Sequence, residues 1–284
     1  MSDRWHAPRV RPAAVAGTWY PGTAASLADA VDRLLADADQ TAGDVSGDLV
    51  ALIAPHAGLT YSGPVAAHAY RLLRRRAFDV AVLVGPSHFV GFEGVAAYGA
   101  GAFETPMGLA PIDEDAAAAL MHSTSVVHEH DAAHAREHSL EMQLPFLQRC
   151  APGLPILPLV MGFQTGATVT ALADGLAATL HGRRPLLIAS SDLSHYHPAS
   201  VAARLDQLVL DLVTEFDADG LQAALDANPE HACGGGPVVA VMRAARQLGA
   251  TDAKMLQYAD SGDVSGDKSS VVGYMAGAMG RFPS

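Results

Sequence analysis

The chain has 284 residues, 18 lysines and arginines against 30 aspartates and glutamates, and a formal net charge of −12. Half of it is hydrophobic and 17% is charged, so it carries enough apolar surface to build a core and does not read as disordered. The acidic balance argues against a general nucleic-acid binder, and two cysteines, Cys150 and Cys233, are too few for a disulfide scaffold.

The amino-terminal stretch has early charges but no apolar run followed by a cleavage site, so no signal peptide is expected. No segment approaches the roughly 20 apolar residues of a membrane span. A cytoplasmic protein of one domain over residues 1–284 is the simplest reading. In chain order, strands are expected at Leu49–Ala54, Val80–Val84, Ile156–Val160, Leu186–Ala189 and Val271–Met279. They are short, rich in Val, Leu and Ile, and mostly closed by Pro, Gly or Ser. Pro158 weakens the third, because proline cannot donate to a sheet ladder. Helical spacing occurs at Leu27–Leu35, Val65–Leu73, Leu140–Leu147, Val169–Leu180, Val201–Val213 and Val238–Leu248. The alternation predicts an α/β sandwich with a mixed or largely parallel central sheet flanked by helices.

The chemistry sits in the residues just after the strands. The first strand runs into Pro55-His56-Ala57-Gly58, the second into Gly85-Pro86-Ser87-His88, and the fourth into Ser190-Ser191-Asp192-Leu193-Ser194-His195. Three buried strands each deliver a histidine at the carboxyl edge, where open α/β sheets bind ligands. Taken singly, each is an ordinary loop histidine; the threefold repetition is the signal. Cys233 lies in Cys233-Gly234-Gly235-Gly236 before an apolar helix, where backbone N–H groups favour a thiolate. Cys150, near a helix end, reads as structural.

The stretch from His128 to Glu141 holds four histidines. His130-Asp131-Ala132-Ala133-His134 lacks the glutamate base of a zincin, so Glu137 and His138 read as support behind a metal site or as a plain helix start. The acidic loop Tyr258–Lys268 lacks the closing glutamate of a calcium-binding EF-hand and reads as a pocket wall or a hairpin loop. No Gly-x-Ser-x-Gly elbow is present, which argues against a serine hydrolase.

Taken in order, Gly17-Thr18-Trp19-Tyr20-Pro21, Pro55-His56-Ala57-Gly58-Leu59-Thr60-Tyr61-Ser62-Gly63, Gly85-Pro86-Ser87-His88, Glu137-His138-Ser139-Leu140-Glu141-Met142-Gln143-Leu144-Pro145-Phe146, Ser190-Ser191-Asp192 through His195, Cys233-Gly234, and Tyr258 to Asp267 with Val271-Val272-Gly273-Tyr274 span nearly the whole chain. In these segments the sequence resembles the Memo family, labelled AmmeMemoRadiSam system protein B in microbes. The resemblance implies one α/β domain similar to LigB-type class III extradiol dioxygenases. It implies a metal site on His56, His88 and Cys233, occupied by one ion, Fe(II) or copper before zinc. It implies a pocket that includes Trp19, Tyr61, Asp192 and His195, to which Ser87 is added as a neighbour of His88. It associates the chain with a radical-SAM or AMMECR-type partner. Phe89 and Ser194 depart from members with an extra histidine or cysteine there. Ring-cleaving dioxygenases complete their site with a carboxylate; a cysteine in that place is a softer ligand, so catechol cleavage does not follow from the fold.

The expected function is a mononuclear metal-dependent oxidoreductase of unnamed substrate, with His195 as acid or base oriented by Asp192. The alternative is a non-catalytic module that uses the same cleft for a small molecule, an anion or a peptide. A metal-dependent hydrolase or amide-bond enzyme ranks behind both.

Overall fold

The computed structural model describes residues 9–43, 45–74 and 76–283; the start of the amino-terminal stretch read above for a leader lies outside them. The strands are β1 (Val10–Arg11), β2 (Asp48–Ala54), β3 (Val80–Pro86), β4 (Val95–Ala97), β5 (Ala102–Thr105), β6 (Gly108–Pro111), β7 (Val127–Glu129), β8 (Ile156–Met161), β9 (Pro185–Ser190), β10 (His195–His197), β11 (Asp252–Asp260) and β12 (Val271–Arg281). The helices are α1 (Ala24–Thr41), α2 (Leu59–Tyr70), α3 (Glu114–Ser123), α4 (Asp131–His134), α5 (Leu144–Cys150), α6 (Gly166–Leu180), α7 (Ala199–Thr214), α8 (Ala218–Ala227), α9 (Gly235–Gln247) and α10 (Gly262–Ser265).

One large sheet runs β12–β2–β9–β3–β8–β4–β7, with β10 and β11 also paired to β12. Its centre, β2–β9–β3–β8, is parallel, while β12 and β4 join it antiparallel. The sheet is therefore mixed. Every residue of β3, β8 and β9 is buried. Side chains alternate between two cores: Val80, Val82 and Val84 enter one, Ala81 and Leu83 the other. The first core is packed by α3, α6, α7, α8 and α9. The second is closed by α1, α2, α5 and the small sheet β1–β5–β6. In α1 the residues at fourfold spacing, Leu27, Val31 and Leu35, are all buried, each worth about 1.5–3 kcal/mol of apolar transfer.

One expected boundary moves, and two readings gain detail. Pro158 does lie inside β8. Its carbonyl faces β4 and accepts from Tyr98 N–H at 3.4 Å, just past the end of that strand, so the missing donor falls where pairing stops. The helix expected over Leu140–Leu147 begins only at Leu144, after a 3₁₀ turn at Glu141–Gln143. The preceding chain is drawn aside because the carboxylate of Glu137 takes the N–H groups of His138 and Ser139. The acidic loop starts as the end of β11 and turns through α10, where Lys268 pairs with Asp260 at 2.8 Å and Asp263 at 2.6 Å.

Candidate metal centre

Because β2, β3 and β9 are parallel, the loops that leave them meet at one edge. His56 lies two residues beyond β2, His88 two beyond β3, Asp192 two beyond β9, and His195 opens β10. Two further pieces of chain are laid onto this edge through glycines. A Cβ on Gly85 would stand 2.7 Å from Ser139 Oγ, so glycine there lets the Glu137–Leu140 segment rest on the end of β3. A Cβ on Gly234 would stand 2.4 Å from Ser190 O, so glycine there seats the Cys233 loop on the end of β9.

The result is a cluster of imidazoles. The ligand atoms of His56, His88 and His138 lie within 4.8 Å of one another, an arrangement able to hold a metal ion. The rings of His88 and His138 stack at 4.4 Å, and His56 meets them edge-on at 5.2 and 5.6 Å. Cys233 Sγ sits 3.2 Å from His56 Nε2. His56 and His138 are buried, whereas His88 is open to solvent. The Trp19 ring covers His138, centroids 4.3 Å apart.

The groups behind the rings set their tautomers. The carboxylate of Glu137 can only accept, so His88 donates from Nδ1 (2.8 Å) and from its backbone N–H (2.7 Å), leaving Nε2 with its lone pair. Ser190 Oγ donates to Ser139 O at 2.7 Å and accepts from Gln143 Nε2 at 2.8 Å. Its remaining capacity is to accept, so His56 Nδ1 is the donor at 2.8 Å and Nε2 again carries the lone pair. Gln143 is oriented in turn by Tyr70 OH, which donates to its Oε1 at 2.8 Å, and by Pro55 O, 3.1 Å from its Nε2. His138 differs: its Nδ1 is buried without a hydrogen-bond partner and stands 3.6 Å from the Glu137 carboxylate.

Electrostatics keep two of these rings neutral, the form in which an imidazole can act as a ligand. Burial, then the neighbouring His88, holds His56 down to about 3. Burial, then His56 and His88, does the same for His138, also to about 3. Burial alone would raise Glu137, but the His88 ring and the backbone donors outweigh it and hold the carboxyl at about 2. Burial pushes the Cys233 thiol up, and the charge of Asp192 adds to this, against the thiolate expected at a helix start. A cation beside the sulfur would reverse that balance. Cys150 is pushed up to about 12 by burial.

Several expected roles are redistributed. Asp192 does not orient the ring of His195; its Oδ1 accepts from His56 N–H at 2.7 Å, and His195 Nδ1 donates to Leu193 O at 2.7 Å. A backbone carbonyl therefore fixes that tautomer. Tyr196 beside it is held at φ 62° in the strand irregularity between His195 and His197. The Ser87 hydroxyl donates to Val90 O at 2.7 Å and so is committed to its own loop. Trp19 and Tyr61 are 38% and 43% exposed, free to meet a ligand. His138, expected behind the metal, stands among the imidazoles.

The reading of the residues did not single out Gln143, Ser190, Arg11 or Glu141. Arg11 pairs with Glu141, both fully buried, and donates from Nε to His134 O at 2.9 Å. Glu141 also accepts from Ala14 N–H, Val15 N–H and Tyr20 OH, at 2.8, 3.0 and 2.6 Å. This network ties the turn that carries Trp19 to the segment that carries Glu137 and His138. Glu141, Gln143 and Ser190 do stand within the matching motifs, whereas Arg11 carries no such signal.

The profile of the Memo-like protein family matches residues 11–278. A MEMO1 family protein of Ignicoccus hospitalis is 38% identical over 277 residues, 94% of this chain and 97% of the relative. One from Methanothermobacter thermautotrophicus is 36% identical over 272 residues, 93% and 98% of the two chains. A third, from Nitrosopumilus maritimus, is 32% identical over 270 residues, 94% and 98%. Among solved structures, an uncharacterized Escherichia coli K12 protein aligns with 80% of this chain and 99% of its own, at a TM-score of 0.51 and 19% identity, a likeness of fold alone. With the family profile spanning nearly all of the described chain and these relatives matched almost end to end, the chain belongs to the Memo family.

Proposed function

We propose that the chain is a mononuclear metal-dependent oxidoreductase whose ion is held by His56 and His88 together with Cys233, with His138 as an alternative third or additional ligand. The observation that carries this reading is the grouping of His56, His88 and His138, whose ligand atoms lie within 4.8 Å of one another, with the Cys233 sulfur 3.2 Å from His56 Nε2. Carboxylate and hydroxyl partners behind metal-binding histidines are a recurring feature of metal sites. A nitrogen and sulfur donor set suits Fe(II), copper or zinc better than magnesium or calcium.

When bound, such an ion supplies Lewis-acid or one-electron chemistry. The protein's part is positional. Glu137 and Ser190 keep the ring nitrogens of His88 and His56 deprotonated on the side that faces the cluster. Trp19 shields His138 from water. His195, with Nδ1 committed to Leu193 O, keeps Nε2 for accepting or returning a substrate proton.

The test is metal analysis of anaerobically purified protein, reconstituted with Fe(II), Cu(I) or Zn(II), for wild type, His56→Ala, His138→Ala and Cys233→Ser. One ion per chain, lost in His56→Ala and Cys233→Ser, with oxygen uptake in the presence of a reductant, is the expected outcome. Stoichiometric metal with no turnover across catechols, thiols and peroxide would favour a binding module. That second reading has its own support: the exposed Trp19 also borders a cleft of about 610 Å³ between the Gly17–Pro21 turn and α1.

A further inference from the structure

The opposite edge of the sheet carries a second feature that the metal centre does not use. Where β2, β3 and β9 begin, a cavity of about 370 Å³ is lined by Arg76, Arg183, Arg184 and Arg281. The chain has only 18 basic residues and a net charge of −12, so four arginines bordering one hollow depart strongly from its composition, although Arg183 also borders a neighbouring hollow beside its partner Asp113. A single carboxylate, Asp48, shares the wall.

The guanidiniums are ordered in advance. Arg76 is anchored by backbone carbonyls, its Nη2 donating to Val45 O at 2.7 Å and Gly47 O at 3.2 Å. Among the described residues, no carboxylate pairs with it. Arg183 and Arg184 are gripped by Asp113 and Asp79, which are not part of the cavity wall. Arg281 is held by Asp48, 2.7 Å from its Nη2. Each ion pair uses one or two of the five N–H groups of its guanidinium and leaves the rest for a ligand, while Arg76 has both Nη atoms on backbone carbonyls, those of Leu72, Val45 and Gly47. The ion pairs thus hold the arginines in place without exhausting them. The floor is apolar: Phe78, Leu49 and Leu248 border the same space.

Polar forks above an apolar floor define a ligand class. Arginine matches phosphate oxygens bidentately, and a hollow of this size takes a small molecule rather than a macromolecular chain. We propose that this cavity binds a phosphate ester with a flat apolar body, the chemistry of a nucleotide. The phosphates meet Arg183, Arg184 and Arg281, and the flat body rests against Phe78. The site stands at the far edge of the sheet from His56 and is independent of what that centre does.

The experiment is calorimetric titration of the full chain with ADP in low salt, with adenosine and inorganic phosphate as controls. Saturable one-to-one binding of ADP is expected, at least 10-fold tighter than either control and weakened by raising the salt. The double variant R184A/R281A should weaken ADP at least 10-fold with its thermal melt unchanged, while His56→Ala leaves the affinity alone. If the double alanine variant does not fold, R184K/R281K keeps the charge and removes the forks, and should bind 3-fold weaker or worse. The absence of saturation up to millimolar ADP would overturn the proposal. So would equal affinity in both arginine variants, phosphate binding as tightly as ADP, or loss of binding in His56→Ala.

Discussion

Glu137 and Glu141 stand four residues apart in one segment, both buried, yet they serve different ends. Glu141 faces a permanent cation, Arg11, and spends its remaining capacity on Ala14, Val15 and Tyr20. Everything it touches is closed off from solvent or fixed backbone. Glu137 faces an imidazole whose other nitrogen is left for a ligand, on the one ring of the cluster that solvent reaches. The same carboxylate chemistry therefore makes a closed joint in one place and, in the other, holds a ring whose second nitrogen stays open. The deciding difference is whether its partner has a free valence.

The contrast between the two glutamates can be broken most forcefully at Glu141. Replacing it with alanine strands the Arg11 charge in the interior, and the expected cost is about 3–5 kcal/mol in urea unfolding. A loss below about 1 kcal/mol would show that the joint is not structural. Glu137→Gln should act on ligation instead. It keeps one acceptor oxygen, enough for the ring or the backbone N–H of His88 but not both, and metal affinity should fall about 10–100-fold by competition with a chelating dye. Unaltered affinity would remove Glu137 from the site.

The pH dependence sharpens the contrast further. His134 is buried, its Nε2 donating to Ala96 O at 3.0 Å, and burial is the main reason that it is held down to about 3. Between about pH 6.5 and 3 the unfolded chain takes a proton there that the folded chain refuses, so stability is full above 6.5 and falls as pH drops. In His134→Gln the slope of unfolding free energy near pH 5 should lessen by about 1.4 kcal/mol per pH unit. An unchanged slope would mean that His134 titrates normally in the fold. Glu137, also depressed, contributes stability that is present above about 4.5 and lost toward 2, so Glu137→Gln should flatten only the more acid limb. The smallest effect belongs to Trp19→Ala: with the ring 38% exposed, about 1 kcal/mol of ring packing is at stake. A loss above about 3 kcal/mol in thermal or urea unfolding would make Trp19 a structural residue.

Much of this layout is legible in the residues. Leu49–Ala54, Val80–Val84 and Leu186–Ala189 announce themselves because strands buried on both faces need uninterrupted apolar runs. The histidines come directly after them. Strand β11 was not legible, since most of its residues are only partly buried and its sequence, DAKMLQYAD, shows no clean alternation. Helix α8 carries little signal for a related reason: only Leu221 and Leu225 are buried, too short a stripe to stand out. At the site, the expectation that Asp192 orients His195 rested on a spacing of three residues. Spacing permits that contact, but the geometry of the turn after β9 gives His195 to Leu193 O and Asp192 to His56 N–H.

By itself, then, the sequence determined an α/β sandwich with buried strands, the strand ends at which His56, His88 and His195 emerge, and the family, because these depend on local runs and motifs. Only the tertiary structure decided that His138 joins the imidazoles, that Ser190 and Gln143 set the His56 tautomer, and that Arg11 reaches Glu141. Those choices are made by groups far apart in the chain that meet in a water-poor interior. There each donor must find an acceptor, and no local pattern states which one it will be.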